Sequence, residues 1–450
     1  MSELKLSHKD AVSFKMPLYL PAQGASETEA TIVEWRVAEG DRFRKGEALV
    51  QVDSAKSVYD FEAPCDGLVI RRLHLEGETL PLTEPIVEIE TADPAMRDWI
   101  PPAAAVEHSA SRIEAAPAAP SPTYRGEPIA LLGFGGYLPK RLVTNDELLE
   151  EFPEIDAEYV YQVTGIRKRR WAAEDEKPSD MAYQAALEAI RRSAMAAKDI
   201  DAVIVATTTP DVAMPSTAAI LQDRLNLQSI PSFDLNAACS GWLYAISMAQ
   251  GMILSGTARN VLTVGVDMQS RLLDRSDRGA YFLFGDGAGA TVVSAMSPGS
   301  GGHRIHNVVL GADTRGLHLA RRSEPGYTVQ NGQCDSDPWI RIDGPALFRS
   351  ATENFADVIS RALSRSGWKS ENIRWIIPHQ ANGRILKAAA KRSHVGFDRF
   401  YLNVDHVGNT SSASIPLAII EMEEGLQPGD KLVLCSVGAG LTTAAITVEW

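Results

Sequence analysis

The sequence predicts two folded units of different class: a large α/β unit made of two similar layered halves, preceded by a small all-β flattened barrel. Three observations predict this. The composition shifts once, sharply, into an Ala- and Pro-rich stretch over residues 93–127. Before that stretch a strand–turn–strand pattern occurs twice. After it, apolar β-runs alternate with amphipathic helical stretches. The 450 residues suit two or three domains of about 150 each, long enough for a large core.

Hydrophobic residues make up 45% and charged residues 23%, a balance that excludes a wholly disordered or fibrous chain. A net charge of −14 disfavours nucleic acid and anionic membranes as main partners. No apolar run approaches the roughly 18 to 20 residues of a membrane span. The start, MSELKLSHKDAVSF, has no apolar signal-peptide core. Cys65, Cys239, Cys334 and Cys435 are too few and too scattered for a disulfide framework or a zinc cluster. The expectation is a soluble, cytoplasmic protein with no metal.

In the first unit, residues 12–92, the stretch Val37-Ala38-Glu39-Gly40-Asp41 followed by GEALVQV recurs as Leu75-Glu76-Gly77-Glu78 followed by EPIVEI. Each copy joins two β-rich runs through a Glu-Gly-acid turn, where glycine supplies the permissive backbone. Two similar strand sets make a flattened barrel with quasi-two-fold symmetry. Between the copies, Asp53-Ser54-Ala55-Lys56-Ser57 takes the place of an exposed hairpin. The following residues 93–127 are rich in proline, which fixes φ and removes donors, so they read as an extended, semi-rigid linker.

This first unit resembles the lipoyl domains of 2-oxoacid dehydrogenase acyltransferases over about 80 residues, and its tether is similar to theirs. The resemblance implies that Lys56, placed by Ala63-Pro64 and Asp66-Gly67, is the modified lysine carrying lipoate. Related biotinyl domains carry Met on both sides of that lysine; here Ala55 and Ser57 stand there, so biotin is the poorer match. The family's usual Asp before the lysine is replaced by Ala55, with Asp53 the nearest acid.

From residue 128, IALLGFGG, AVIVATTT, VLTVGVD, IRWIIPHQ and KLVLCSVGAG read as buried strands, and DMAYQAALEAIRRSAM and ALFRSATENFADVISRAL as amphipathic helices. The alternation predicts mainly parallel, doubly covered sheets. It runs twice, giving halves 128–300 and 301–450.

Three short constellations carry chemistry. Cys239, in Asn236-Ala237-Ala238-Cys239-Ser240-Gly241, lies between the run SIPSFDL and the helical WLYAISMAQGMIL. The helix N-terminus favours a thiolate there, although a Cys among alanines also reads as inert packing. His379 ends the apolar run IRWII, where α/β sheets place ligands; a structural histidine is the alternative. Asn409 lies in a Gly- and Ser-rich turn before SIPLAIIEME, a position that also suits a helix cap. FGDGAGA at 284–290 lacks dinucleotide-fingerprint spacing, so its glycines read as close packing. The run RKRR, Arg167–Arg170, fits either a solvated face or an anion site at a rim.

Together, in this order and spacing, Cys239, His379 and Asn409 resemble β-ketoacyl-acyl carrier protein synthase III, a decarboxylating condensing enzyme of the thiolase superfamily. The likeness runs from about 128 to 450 and includes Thr164-Gly165-Ile166-Arg167, FDLNAACSGWLYAI, PHQANGRI, GNTSSASIP and Gly438-Ala439-Gly440-Leu441-Thr442. It implies a thiolase-like fold and a homodimer whose partner loop, here Met214 in VAMPST, closes the acyl pocket. Cys239 would hold the acyl group, with backbone N–H groups of Cys239 and Ala439 as the oxyanion hole. His379 and Asn409 would stabilise the enolate of a malonyl thioester, giving a 3-oxoacyl thioester without metal or redox cofactor.

The resemblance also implies that acyl carrier protein docks on Arg384, Lys387, Lys391 and Arg392. Some members clamp coenzyme A with a Trp and an Arg where this chain has Tyr159 and Val163, so the second of these positions loses its cation. The fusion therefore suggests an acyl donor carried at Lys56. Primary fatty acid synthesis and specialised acyl-chain assembly both fit. A non-condensing acyltransferase and a docking subunit of an acyl-transfer assembly are the alternative readings.

Overall fold

Glycines at two equivalent turns show how the small unit is built. Gly40 and Gly77 both have left-handed φ, +91° and +86°. The acid after each closes its turn: Asp41 accepts from Ala38 N–H at 2.8 Å, and Glu78 from Leu75 N–H at 3.0 Å. The repeated Glu-Gly-acid pattern is therefore a repeated turn. The protein is described by a computed structural model covering residues 13–20, 29–54, 58–82, 84–96, 128–296, 301–324, 329–330, 333–334 and 337–450. It divides into two compact units, Met1–Thr123 and Tyr124–Trp450.

In the first unit, one four-stranded sheet orders Phe14–Tyr19, Pro85–Thr91, Gly67–Arg72 and Arg42–Phe43; the other orders Val58–Glu62, Ala48–Ser54, Glu29–Trp35 and Thr79–Pro81. Leu18, Ile32, Leu49, Val52, Ile86 and Ile89, all fully buried, fill one core. Burying each such side chain contributes about 1.5–3 kcal/mol. Asp53 pairs with Val58 across an antiparallel hairpin. Lys56, in the connection of that hairpin, lies outside the described residues. Of the expected linker 93–127, only residues 93–96 are described, with a 3-10 turn at Pro94–Met96.

The second unit centres on a nine-stranded sheet. Its spatial order is Ser232–Leu235, Ala202–Ala206, Asn260–Met268, Asp286–Ala295, Ile129–Tyr137, His303–Ala312, Thr442–Glu449, Lys431–Gly438 and Trp375–Pro378. The first five strands come from the earlier half of the unit and the last four from the later half. Helices Gly241–Leu254 and Ser414–Met422 pack on strands of both halves in one shared core. Pro178–Arg192 covers the outer face of the first half, and Gly344–Ser366 with Gly383–Ser393 covers that of the second. The result is a layered, duplicated α/β unit.

The mainly parallel expectation is corrected. Only three of its pairings are parallel, Ser232–Leu235 with Ala202–Ala206, Ala202–Ala206 with Asn260–Met268, and Trp375–Pro378 with Lys431–Gly438. The other five are antiparallel. Burial on both faces produces the same continuous apolar runs whatever the strand direction. In the RKRR run Arg167 and Lys168 are exposed, as a solvated face requires, and Arg169 alone departs from both readings. Arg169 is fully buried and donates to Asn145 Oδ1 at 2.8 Å and to the Phe282 carbonyl at 2.6 Å. Desolvation pushes its pKa down to about 10. FGDGAGA is packing, as expected: a Cβ on Gly289 would lie 2.4 Å from Pro416, and one on Gly285 2.8 Å from the Val407 carbonyl.

At the far end of the central strands, His303 stacks on Trp450, ring centroids 3.4 Å apart, beside Phe134. Its Nδ1 is buried without a partner among the described residues, and desolvation pushes its pKa down to about 4. The unfolded chain binds a proton at this ring near pH 6.5 while the folded chain resists it, so stability is lost as pH falls from about 6.5 to about 4. His303→Phe should remove that loss. Its thermal stability relative to the parent should improve by roughly 1–3 kcal/mol between pH 7 and pH 4; an unchanged difference would contradict the buried-ring assignment.

Candidate active site

The parallel strands set the site's geometry. Ser232–Leu235 leads through the turn Ala238–Ser240 into the helix Gly241–Leu254, and Cys239 sits in that turn. Asn236 Oδ1 holds the turn by accepting from Ala238 N–H at 3.1 Å. The hairpin of Lys431–Gly438 and Thr442–Glu449 grips it from the other half. Thr442 Oγ1 donates to the Ala237 carbonyl at 2.9 Å, Ser436 Oγ to the Cys239 carbonyl at 3.0 Å, and Ser240 Oγ to the Thr442 carbonyl at 2.9 Å. Such an approach needs glycine at 438, because a Cβ there would lie 2.6 Å from Thr442 Oγ1 and 2.9 Å from Cys239 N.

Cys239 is half-buried and borders a cavity of about 1480 Å³. Burial pushes its thiol up to about 11; a hydrogen bond from Ser411 and the backbone N–H groups of Cys239 and Ala439 act in the opposite direction. The helix N-terminus was expected to favour thiolate, and desolvation outweighs it. The two N–H groups the sequence placed at an oxyanion hole, those of Cys239 and Ala439, both act on the sulfur.

His379 follows the Trp375–Pro378 strand directly and lines the same cavity, as does Asn409. His379 is buried, and desolvation pushes its pKa down to about 3, so the ring is neutral. Its Nδ1 lies 2.7 Å from Ser414 Oγ. That oxygen also accepts a long hydrogen bond from Gln380 N–H at 3.4 Å. In the tautomer in which the Ser414 hydroxyl donates to Nδ1, the ring nitrogen Nε2 carries the hydrogen and is a donor. Asn409 Oδ1 accepts from Ser411 N–H at 2.9 Å, and its Nδ2 donates to the Ala381 carbonyl at 3.3 Å, with one N–H left over. Asn409 is thus oriented by its own turn rather than capping the helix Ser414–Met422.

Ser411 and Ser414 lie inside the GNTSSASIP motif without having been singled out. Alternation of small polar residues in such a turn reads only as capping. Asp267 was also missed: wholly buried, it accepts from Thr208 N–H and Oγ1, each at 2.8 Å, and from Ser412 Oγ at 2.7 Å.

The remaining expected residues are dispersed. Arg384, Lys387, Lys391 and Arg392 are exposed on Gly383–Ser393; Arg384 lines the cavity and Arg392 pairs with Glu353 at 3.3 Å. Met214 is 83% exposed on the loop before Thr217–Arg224. Val163 lines the cavity, while Tyr159 is exposed.

This arrangement matches known proteins. The family described as 3-oxoacyl-[acyl-carrier-protein (ACP)] synthase III matches residues 233–314, and its C-terminal counterpart residues 363–450. The β-ketoacyl-[acyl-carrier-protein] synthase III of Staphylococcus saprophyticus is 40% identical over 325 residues, 72% of this chain and 99% of that relative. The chain belongs to the β-ketoacyl-[acyl-carrier-protein] synthase III family. Solved synthase III structures agree. That from Thermus thermophilus is 38% identical with a TM-score of 0.66, covering 71% of this chain and 99% of its own. That from Aquifex aeolicus is 35% identical, with a TM-score of 0.66 over 72% of this chain and 100% of its own. Residues 17–89 match a biotin/lipoyl family described as biotin-requiring enzyme. This synthase III is accordingly an acyl-transferring condensing enzyme that carries a biotin/lipoyl-type domain.

The buried thiol makes a measurable expectation. Alkylation of Cys239 by iodoacetamide at pH 8, followed on its peptide by mass spectrometry, should run at least about tenfold slower than that of an unperturbed cysteine. Ser411→Ala should slow it further by a few-fold, through loss of the hydroxyl facing the sulfur. A faster variant would show that Ser411 does not favour thiolate.

Proposed function

We propose that the synthase condenses an acyl group held on Cys239 with a malonyl thioester, best carried by acyl carrier protein, and releases a 3-oxoacyl thioester in fatty acid or specialised acyl-chain biosynthesis. The observation that carries this reading is the convergence of Cys239, a neutral His379 with its donor nitrogen free, and Asn409 with a spare N–H on one cavity.

The Cys239 sulfur attacks the donor thioester, forming a new S–C bond while the donor thiol leaves with the proton. The N–H groups of Cys239 and Ala439 hold the tetrahedral oxyanion, and one such donor is worth about 3 kcal/mol. The malonyl thioester then loses CO2. His379 and Asn409 donate to its thioester oxygen, where the enolate charge gathers. A histidine held neutral by burial suits this task, because it stabilises the charge without surrendering a proton. The carbanion attacks the acyl carbonyl, a C–C bond forms, and the S–C bond to Cys239 breaks.

The exposed Arg384, Lys387, Lys391 and Arg392 form the docking face for the acidic carrier protein, Arg384 standing at the cavity. Two copies pair through the edge strand Ser232–Leu235. Exposed Phe233 and Met248 support this, as does the exposure of Met214, which in this reading would enter the partner's acyl pocket. A catalytic free thiol is well served by a reducing compartment, and the proposal places the enzyme in the cytoplasm.

Lipoate on Lys56 completes the reading. Support comes from the biotin/lipoyl family match over residues 17–89 and from the hairpin that contains Lys56, at whose base Asp53 and Val58 pair. The Gly67 of the flanking motif is required, since a Cβ there would meet the Phe43 ring at 2.7 Å and the Glu90 carbonyl at 2.9 Å. Lipoate supplies a dithiol that carries acyl groups as thioesters. The tether would raise the local concentration of such a donor into the mM range, offsetting the cation missing at Val163.

Two measurements test this. Release of CO2 from malonyl-acyl carrier protein with formation of a 3-oxoacyl product should fall by about 10³-fold or more in Cys239→Ala and by about 10²-fold or more in Asn409→Ala. Acyl transfer without CO2 release would point instead to a non-condensing acyltransferase. The mass of the Lys56 peptide from the native host should show a lipoyl adduct; a biotin adduct or bare lysine would overturn the donor assignment.

A further inference from the structure

We propose that the synthase selects an acyl group bearing a hydroxyl, and that the buried amide of Gln269 recognises it. This rests on the condensing reading above, because it concerns the group that Cys239 takes up.

Topology puts Gln269 at the same end of the sheet as Cys239 and on the same cavity. Three neighbouring parallel strands, Ser232–Leu235, Ala202–Ala206 and Asn260–Met268, end at the same edge of the sheet. The Cys239 turn follows the first, Thr207 and Thr208 the second, and Gln269 the third. All four residues line the one cavity. Gln269 is only 5% exposed.

Its orientation is fixed by a chain of hydrogen bonds. Thr208 Oγ1 gives its single proton to Asp267 Oδ1 at 2.8 Å. It therefore accepts from Gln269, so the atom 2.8 Å away is Nε2 and the carbonyl oxygen points elsewhere. Among the described residues no donor reaches that oxygen. That oxygen is not sealed in protein but keeps access to the cavity that Gln269 lines. An acyl chain that displaces solvent from it without offering a donor loses that hydrogen bond, and one that offers a donor keeps it.

The chemistry of the partner follows. An acceptor oxygen requires a donor. A carboxylate on the acyl chain offers none and would lie near the buried Asp267, which the same chain of bonds connects to Gln269. A hydroxyl donates to Oε1 and is small enough for a chain otherwise packed on Leu283, Phe284, Ile340 and Ile342. A plain alkyl chain would leave the amide unpaired.

The test compares isosteres. Full-length protein is mixed with N-acetylcysteamine thioesters of 3- and 4-hydroxyacyl groups and of the matching chains with methyl in place of hydroxyl. The initial rate of Cys239 acylation is read by intact mass. One hydroxylated chain should load at least about tenfold faster than its methyl isostere. Gln269→Leu, or Gln269→Met should the first fail to fold, should abolish or invert that preference. A parent that favours the methyl isosteres, or a variant that keeps the parent's preference, overturns the proposal. So does a variant that changes only the native mass of the assembly, which would assign the oxygen to a subunit contact. Failure of every thioester to acylate Cys239 would instead remove the synthase reading, and this inference with it.

Discussion

A carboxylate sealed from solvent holds the catalytic apparatus together. Asp267 ends the Asn260–Met268 strand and ties two loops to it: Thr208 from the first half, through N–H and hydroxyl, and Ser412 from the second, through its hydroxyl at 2.7 Å. Ser412 lies between Ser411, which faces the thiol, and Ser414, which faces His379. The proposed nucleophile and the two proposed enolate donors come from segments separated by up to 170 residues of sequence, Cys239 to Asn409. Their mutual placement therefore depends on an anchor shared between halves. A buried charge with only hydroxyl and amide donors is expensive to assemble, and breaking up such a network costs more than any one of its bonds. The site tolerates the cost because the acid fixes two loops from different halves at once.

The duplicated sheet explains why this anchor can exist. Helices Gly241–Leu254 and Ser414–Met422 share one core between the halves. Each begins next to a functional turn, that of Cys239 and that of Asn409. Packing the two helices together brings the two turns face to face. The hairpin at Gly438 then closes over the nucleophile from the far side, with three hydrogen bonds that leave no room for a side chain at that position. Rigid elements thus carry the reactive groups, and the loops are only as long as the connections require.

Much of this was legible in the sequence. Cys239, His379 and Asn409 each sit in a short run of small or polar residues that interrupts an apolar pattern, and such interruptions survive without any knowledge of the fold. The Glu-Gly-acid repeats were legible for the same reason, since turn chemistry is local. What was not legible depends on burial by distant segments. Strand direction leaves no mark on a strand covered on both faces, so the antiparallel pairings were missed. Asp267 and Arg169 look like ordinary surface charges in a strand pattern, and only the packing of other elements removes them from water. The Cys239 thiol was misjudged likewise: the helix terminus is visible locally, while the desolvation that outweighs it is tertiary.

The raised pKa of the Cys239 thiol has a consequence outside the condensation itself. Peroxide and other oxidants attack thiolates, and a thiol held neutral at physiological pH presents few of them. An enzyme that must wait for an acyl donor between turnovers gains chemical durability from this. The burial that keeps the Cys239 thiol protonated also disfavours its conversion to the sulfinic or sulfonic acid.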